Sequence, residues 1–344
     1  MVFTGLEQSV LNRVQHDFPL VRDPFTEMSR ELSLHEDEFL TCVRSLKAGG
    51  VIRNISGIFN ADRLGYVTVL CAFQVGDDDI DDAVRTINAH PGVSHNYLRK
   101  HRYNLWFTLT SESDEKLKKS VRFLREKTRA ADHLLFKNER LLKIGLILHV
   151  GGDELPDDAR SPAPSSQNDP GYTPLSDGER ETIRLLQHDL PLEPFPFARL
   201  LSTDAGSLDE DSFLDHSRAL REKRVLRRYC AVMRHNKAGF TSNAMTVWKP
   251  AGDTDLDRIA RIFYARPSIS HLYLRSAYPG EWEYPLFAMI HARSDGELDE
   301  IIRGLARESG LGKYQVLPTL REFKKERVTY FSPRFREWEA EAGI

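Results

Sequence analysis

Apolar residues recur at helical spacing in three short runs near the start of the chain, Glu7 to His16, Phe25 to Leu32 and Glu36 to Lys47. A second set of three lies further on, Asp177 to Asp189, Phe195 to Leu201 and Glu210 to Lys223. Each set runs into a short β-prone string, Gly50-Val51-Ile52-Arg53 or Arg224-Val225-Leu226-Arg227. Short helices with tight turns, closed by a strand, predict a winged helix-turn-helix. Beyond each set the pattern alternates between strand and helix periods. In the first half the predicted strands are Tyr66 to Gln74, Val93 to Tyr97, Leu105 to Thr110 and Leu141 to Val150, with helices Ile80 to Asn88 and Asp114 to Arg129 between them. A βαββαβ order of this length predicts a ferredoxin-like sandwich, one sheet covered by two helices on one face.

The chain is written twice. Gly65-Tyr66 matches Gly239-Phe240, Ser94-His95-x-Tyr97-Leu98-Arg99 matches Ser270-His271-x-Tyr273-Leu274-Arg275, and Tyr103-x-Leu105 matches Tyr284-x-Leu286. The separation of matching anchors grows slowly along the chain, as in a tandem duplication with small loop insertions. Between the halves, residues 151–174 are rich in Pro, Gly, Ser and Asp and carry almost no large apolar side chain, so they predict a flexible linker. The expected fold class is α+β, with helix-turn-helix domains at 1–60 and 175–230, ferredoxin-like domains at 61–150 and 231–333, and a C-terminal tail at 334–344. The open face of each sheet needs a partner, and the other copy is the expected one; two fused chains could pair further.

Composition narrows the function. A net charge of -3 from 48 basic and 51 acidic residues gives no global attraction to nucleic acid or anionic lipid, so any anion-binding surface must be local. The longest apolar run, Ile144 to Val150, is far shorter than a bilayer span, and the N-terminus lacks a basic region followed by an apolar one. These features predict a cytoplasmic location. Cys42, Cys71 and Cys230 form no CxxC pair that could seed a zinc site, an iron-sulfur cluster or a redox dithiol, and they read as reduced, buried thiols.

Three elements carry candidate chemistry. The first is H-x-Y-x-R, at His95, Tyr97 and Arg99 and again at His271, Tyr273 and Arg275. Strand alternation sets imidazole, phenol and guanidinium in a row on one face. Such a row suits a carboxylate: Arg grips it, Tyr donates a hydrogen bond, and His exchanges a proton near neutral pH. A polar strand face at solvent or between the copies is the plainer alternative. The second element occurs in one copy only. Arg227-Arg228-Tyr229 leads to Arg234-His235-Asn236-Lys237-Ala238-Gly239, where the first copy has Asn60-Ala61-Asp62 in the matching turn. Turn formation does not require the Arg-His pair, although a simple basic turn would account for it. The third is Trp282-x-Tyr284-Pro285-Leu286-Phe287-x-Met289-Ile290-His291, opposed to Tyr103-Asn104-Leu105-Trp106-Phe107 in the first copy. Phe287, Met289, Trp106 and Phe107 fit a core best, and some could wall a flat apolar ligand.

Helix-turn-helix followed by βαββαβ resembles the Lrp/AsnC regulators over nearly the whole of both copies. DNA binding is nevertheless disfavoured, because the expected recognition helices begin at Glu36-Asp37-Glu38 and Asp209-Glu210-Asp211, and acids there oppose phosphate. Those acids fit better as complements of the helix dipole. The strings R-R-Y-x-A-V-x-R-H-x-x-A-G-F, H-P-G-V-S-H-N-Y-L-R and W-x-Y-P-L-F together resemble the siroheme decarboxylases, an Lrp/AsnC-like family. Glu283 and Pro285 depart from the family's usual W-P-Y-N-L-F wording. The resemblance implies loss of carbon dioxide from two acetate arms of siroheme, leaving methyl groups, with no organic cofactor and no protein-bound metal, since the iron belongs to the substrate. It implies Arg234, His235, His271 and Tyr273 as catalytic groups, and Arg275, Arg228, His95, Tyr97, Arg99, Tyr284 and His291 as substrate-binding groups. A regulator sensing a small carboxylate and a tetrapyrrole carrier without catalysis are the alternatives.

Overall fold

A computed structural model describes residues 3–144, 171–203, 208–233, 242–252 and 254–344. The first copy runs α1 (Gly5–Gln15), α2 (Pro24–Glu31), α3 (Glu36–Ala48), β1 (Ile52–Phe59), β2 (Val67–Gln74), α4 (Ile80–Ala89), β3 (Val93–Arg99), β4 (Leu105–Ser111), α5 (Asp114–Lys127) and β5 (Asp132–Ile144). The second runs α6 (Asp177–Leu186), α7 (Pro196–Thr203), α8 (Glu210–Glu222), β6 (Leu226–Met233), β7 (Ser242–Trp248), α9 (Leu256–Tyr264), β8 (Ile269–Arg275), β9 (Leu286–Ala292), α10 (Asp295–Ser309) and β10 (Tyr314–Lys325), followed by α11 (Arg334–Ala342). The two runs share one order of helices and strands. The compact units do not follow the halves of the chain: one gathers both helix-turn-helix segments, the other both sheet segments.

In the helical unit, α1 and α6 open with capping boxes, Thr4 with Glu7 and Ser176 with Glu179, which satisfy two otherwise orphaned donors at each start. The strands after the two helical sets pair with each other, β1 antiparallel to β6, with Ile55 opposite Ala231. Tyr229 of β6 is fully buried and its ring meets Phe18 of the first copy and Phe197 of the second, both at 5.7 Å, so one side chain joins two small helical cores. The acids at the helix starts have structural employment. Asp209 caps α8 through the Ser212 backbone N–H at 2.8 Å, Asp211 pairs with Arg22, and the Thr26 hydroxyl donates to Glu36.

In the sheet unit eight strands close into a barrel in the order β10-β3-β4-β2-β5-β8-β9-β7, with β7 returning to β10. The closure depends on β5 and β10. Each pairs with its own copy at one end and with the other copy further along: β5 lies against β2 and then β8, β10 against β7 and then β3. The expected strand Leu141 to Val150 is corrected here, because β5 already begins at Asp132, and residues 145–150 lie outside the described residues. The polar string Lys137-Asn138-Glu139-Arg140 hides the strand from a hydrophobicity reading. Leu134 and Phe136 nevertheless alternate inward before it, and Leu135 faces the helices.

Outside the barrel, α4 and α5 cover the first sheet through Ile87, Leu117 and Leu124, and α9 and α10 cover the second through Ile259, Phe263 and Leu305. The inner faces meet around Trp106, Phe136, Trp282 and Phe287. Trp106 and Phe136 stack with centroids 5.6 Å apart at an interplanar angle of 6°, a pair worth about 0.5–1.5 kcal/mol beyond its buried area. The expected C-terminal tail instead forms α11, which packs Phe335 and Trp338 against the first sheet's helical layer; their burial is what an eleven-residue tail needed to fold. All three cysteines are free and buried.

Candidate active site

Both H-x-Y-x-R rows point into the barrel. Tyr97 pairs in register with Trp106, and Tyr273 with Phe287, and both aromatic partners belong to the interior cluster. The intervening Asn96 and Leu272 are buried on the helical side. Within each row the rings follow one another closely, His271 to Tyr273 at 6.2 Å and His95 to Tyr97 at 6.1 Å. Arg275 then lies over the Tyr273 ring at 4.4 Å, and Arg99 over Tyr97 at 5.1 Å.

The arginines are not the open forks that the spacing suggests. Arg275 donates one Nη to the backbone carbonyl of Phe136 at 3.1 Å, and Arg99 one Nη to that of Leu317 at 2.8 Å. Each therefore ties its row to the strand that crosses over from the other copy. The Nε of each guanidinium is buried with no acceptor, and no carboxylate pairs with either among the described residues. Burial pulls both down to about 10, which still leaves them protonated at neutral pH. A buried cation without an anion is costly, so a carboxylate arriving at the remaining Nε edge finds a strong electrostatic demand already in place.

The histidine end of the second row has a feature that the first lacks. Ser270 Oγ lies 2.8 Å from His271 Nδ1 and 2.8 Å from His291 Nε2, and His291 is buried. In the first copy His95 Nδ1 meets Ser94 Oγ at 2.9 Å, but the position matching His291 is Thr110, whose hydroxyl is bonded to that of Thr68 at 2.9 Å. A two-imidazole chain through a hydroxyl can hold a ring tautomer and return a proton to it; one imidazole and a threonine cannot.

The remaining predicted residues are dispersed. Tyr284 precedes β9 and packs at the edge of the interior cluster, its carbonyl accepting from Trp282 Nε1 at 2.8 Å. Arg228 is on β6 in the helical unit, opposite Ile58. Arg234 and His235 lie outside the described residues. Trp106 and Phe287 are interior core and Phe107 packs toward the helices, while Met289 is partly buried at the interior cluster. Sequence reasoning gave no role to Ser270. Its retention beside the histidine in both copies was the available signal.

The barrel with paired inward rows defines a ligand-binding module of the AsnC class. The AsnC-like ligand binding domain pattern matches residues 63–143 and again 237–324, and the siroheme decarboxylase NirDL-like HTH domain matches residues 7–53. A siroheme decarboxylase of Hydrogenobacter thermophilus is 35% identical over 333 residues, 96% of each chain. The siroheme decarboxylase beta subunit of Oleidesulfovibrio alaskensis is 37% identical over 157 residues, 46% of this chain and 98% of the subunit. The crystal structure of siroheme decarboxylase NirDL in complex with an iron-uroporphyrin III analogue superposes with a TM-score of 0.76 at 31% identity, covering 98% of both chains. The chain belongs to the siroheme decarboxylase family.

Proposed function

We propose that this chain removes carbon dioxide from two acetate arms of siroheme, and that the working pocket is built on the second copy's row. The observation that carries this reading is Arg275: a guanidinium buried inside the barrel, without an acidic partner among the described residues, in a chain of this family. Its Nε edge accepts one carboxylate of the substrate and fixes the macrocycle, with Tyr273 alongside as an orienting donor. When the reacting acetate loses carbon dioxide, the bond between its methylene and carboxyl carbons breaks and the electron pair stays on the methylene carbon, supported by the ring. His271 delivers its Nε2 proton to that carbon, which becomes a methyl group, while its Nδ1 takes the Ser270 hydroxyl proton and Ser270 takes one from a protonated His291, so that the ring stays neutral and His291 ends neutral. The chemistry calls for no organic cofactor, and the iron enters with the substrate.

Arg234 and His235 are proposed as a second cation and a second acid from the sequence comparison of the copies. Arg228 and Tyr284 are assigned to binding on the same ground. The chain is read as a tandem duplication of a helix-turn-helix and a ferredoxin-like module that pairs internally, and a cytoplasmic location accords with the absence, among the described residues, of any helix long and apolar enough to cross a membrane. Anaerobic incubation with siroheme followed by mass spectrometry tests the function. Stepwise loss of one and then two carbon dioxide masses without added nicotinamide, flavin, pyridoxal phosphate or metal is expected; an unchanged substrate mass overturns the reading.

A further inference from the structure

The turns that close the two inner hairpins carry different rings at one matching position. Laying Tyr103-x-Leu105 on Tyr284-x-Leu286 sets His101, between β3 and β4, against Trp282, between β8 and β9. These two side chains meet within the sheet unit: the rings are T-shaped, with centroids 5.5 Å apart at 80°, and His101 also lies 6.4 Å from the Trp106 ring. Each is fixed by the backbone two residues further on, but in opposite senses. Trp282 Nε1 donates to the Tyr284 carbonyl at 2.8 Å, whereas His101 Nδ1 accepts from the Tyr103 backbone N–H at 3.1 Å.

That difference decides where the ring protons go. The indole has spent its only N–H on its own turn. The imidazole uses Nδ1 as an acceptor, so in its neutral form the proton sits on Nε2. Burial lowers the His101 pKa, which favours that neutral form. Nε2 has no hydrogen-bond partner among the described residues, so the half-buried ring is a donor held in one tautomer with its hydrogen unclaimed. The turn beneath it is tied down. The Arg99 backbone N–H donates to the Asn104 carbonyl at 2.9 Å, and the Asn104 side chain bonds both the N–H and the carbonyl of Val75, at 3.0 and 2.8 Å. A donor fixed in this way loses little freedom when a ligand arrives.

The surroundings specify the ligand. From His101 a run of aromatic contacts leads through Trp282 to Phe287, stacked on it at 5.9 Å, and Arg275 lies 5.6 Å over that same Phe287 ring. Asp132, beside the turn, is already engaged by the Tyr103 hydroxyl at 2.7 Å and by Arg102 at 3.6 Å. An apolar wall with a buried cation and a neutral N–H donor along it matches a flat ligand that carries carboxylates. Iron is the wrong partner for this ring. Coordination through Nε2 would move the ring proton to Nδ1, where it would confront the Tyr103 N–H. We infer that His101 is a substrate-binding residue supplied by the first copy to the second copy's row, its Nε2–H donating to a carboxylate arm of the tetrapyrrole. The inference rests on the proposed substrate.

Two substitutions separate this role from packing, because the two roles rank them in opposite orders. His101→Phe keeps an aromatic ring against Trp282 and removes the N–H, while His101→Gln gives up the ring and keeps an amide donor near the place of Nε2. The full chain and both variants are titrated anaerobically with iron uroporphyrin as a non-turnover probe and with siroheme, and circular dichroism verifies folding. His101→Phe should bind iron uroporphyrin roughly tenfold or more weakly than the wild type, the scale of a hydrogen bond to a charged group, with His101→Gln between the two. Siroheme should give the same order, with a larger loss in affinity than in single-turnover rate at saturation. The absorbance bands that report iron ligation should match those of the wild type. Wild-type affinity in folded His101→Phe, a His101→Gln protein that binds no more tightly than His101→Phe, or altered ligation bands in either variant overturns the role of His101 and leaves the decarboxylase reading standing. Failure of the wild type to bind either tetrapyrrole overturns both.

Discussion

His271 and His291 are joined through a single hydroxyl, Ser270 Oγ, 2.8 Å from Nδ1 of the first and 2.8 Å from Nε2 of the second. The contact at Nδ1 of His271 gives that ring a buried partner through which a proton can return. The hydroxyl accepts from one ring while donating to the other, so the proton on the chain can shift without any side chain moving.

Ser270→Ala should therefore slow the chemical step without abolishing substrate binding. The expected loss in single-turnover rate at saturating siroheme is about tenfold, smaller than the ~10²-fold or greater loss expected for His271→Ala, because the relay serves the acid and is not the acid. Rapid-mixing absorbance under anaerobic conditions measures both. An unchanged rate in Ser270→Ala would show that His271 exchanges its proton with solvent directly.

Arg275 carries two duties, and its variants separate them. Arg275→Ala removes the donor to the Phe136 carbonyl and the cation available to a substrate carboxylate, so siroheme affinity should fall by roughly 1.5–3 kcal/mol, the range for hydrogen bonds to charged groups. Arg275→Lys retains a point charge but not the planar fork, and should fall between wild type and alanine. Equal affinities of all three in a titration would make the residue a strand tie only.

His235 gives a prediction that rests on the sequence comparison of the two copies. Ala61 occupies the matching position in the first copy, so the second alone supplies an imidazole there. If that group shares the proton delivery, His235→Ala lowers the single-turnover rate by about 10²-fold, while His95→Ala leaves it near wild type. The reverse pattern would move the working pocket to the first copy.

Much of this architecture is legible from periodicity, because the helices and inner strands of each copy bury one clear face. What is hidden follows from strands that change partners. β5 passes from apolar Leu134 and Phe136 to the polar run Lys137 to Arg140 without leaving the barrel, since its backbone bonds continue while its neighbour changes from β2 to β8. Side-chain period carries no mark of such an exchange. The row residues were visible as a motif, yet the residues set opposite them, Leu141 at Tyr273 and Glu322 at Tyr97, were not, because they come from crossing strands remote in sequence. The arginines read as open clamps because sequence shows the guanidinium and not the carbonyl that claims one of its edges.

The fold's acid response should be dominated in part by one histidine away from the rows. His90 is buried, with Nδ1 accepting from the Gly92 backbone N–H at 2.9 Å, Nε2 3.1 Å from Ser120 Oγ, and its ring 4.0 Å from that of Trp338 on α11. Burial, and after it the charge of Lys324, lowers its pKa to about 3. The unfolded chain takes up a proton near the ordinary 6.5, whereas the folded one does so only near 3. Between those values the unfolded state binds more protons, so the contribution of His90 is intact above 6.5 and is lost progressively as the pH falls toward 3, with a slope of up to about 1.4 kcal/mol per pH unit. His90→Gln should flatten that part of the profile of denaturant midpoint against pH. Trp338→Ala should destabilise the chain at neutral pH by about 3–5 kcal/mol, the usual scale for a buried Trp truncated to Ala. By admitting water to His90 it should also raise the folded pKa and shrink the acid slope. A Trp338→Ala protein with the full wild-type slope would show that the imidazole is kept neutral by Gly92 and Ser120 alone, and that α11 contributes packing without any electrostatic consequence.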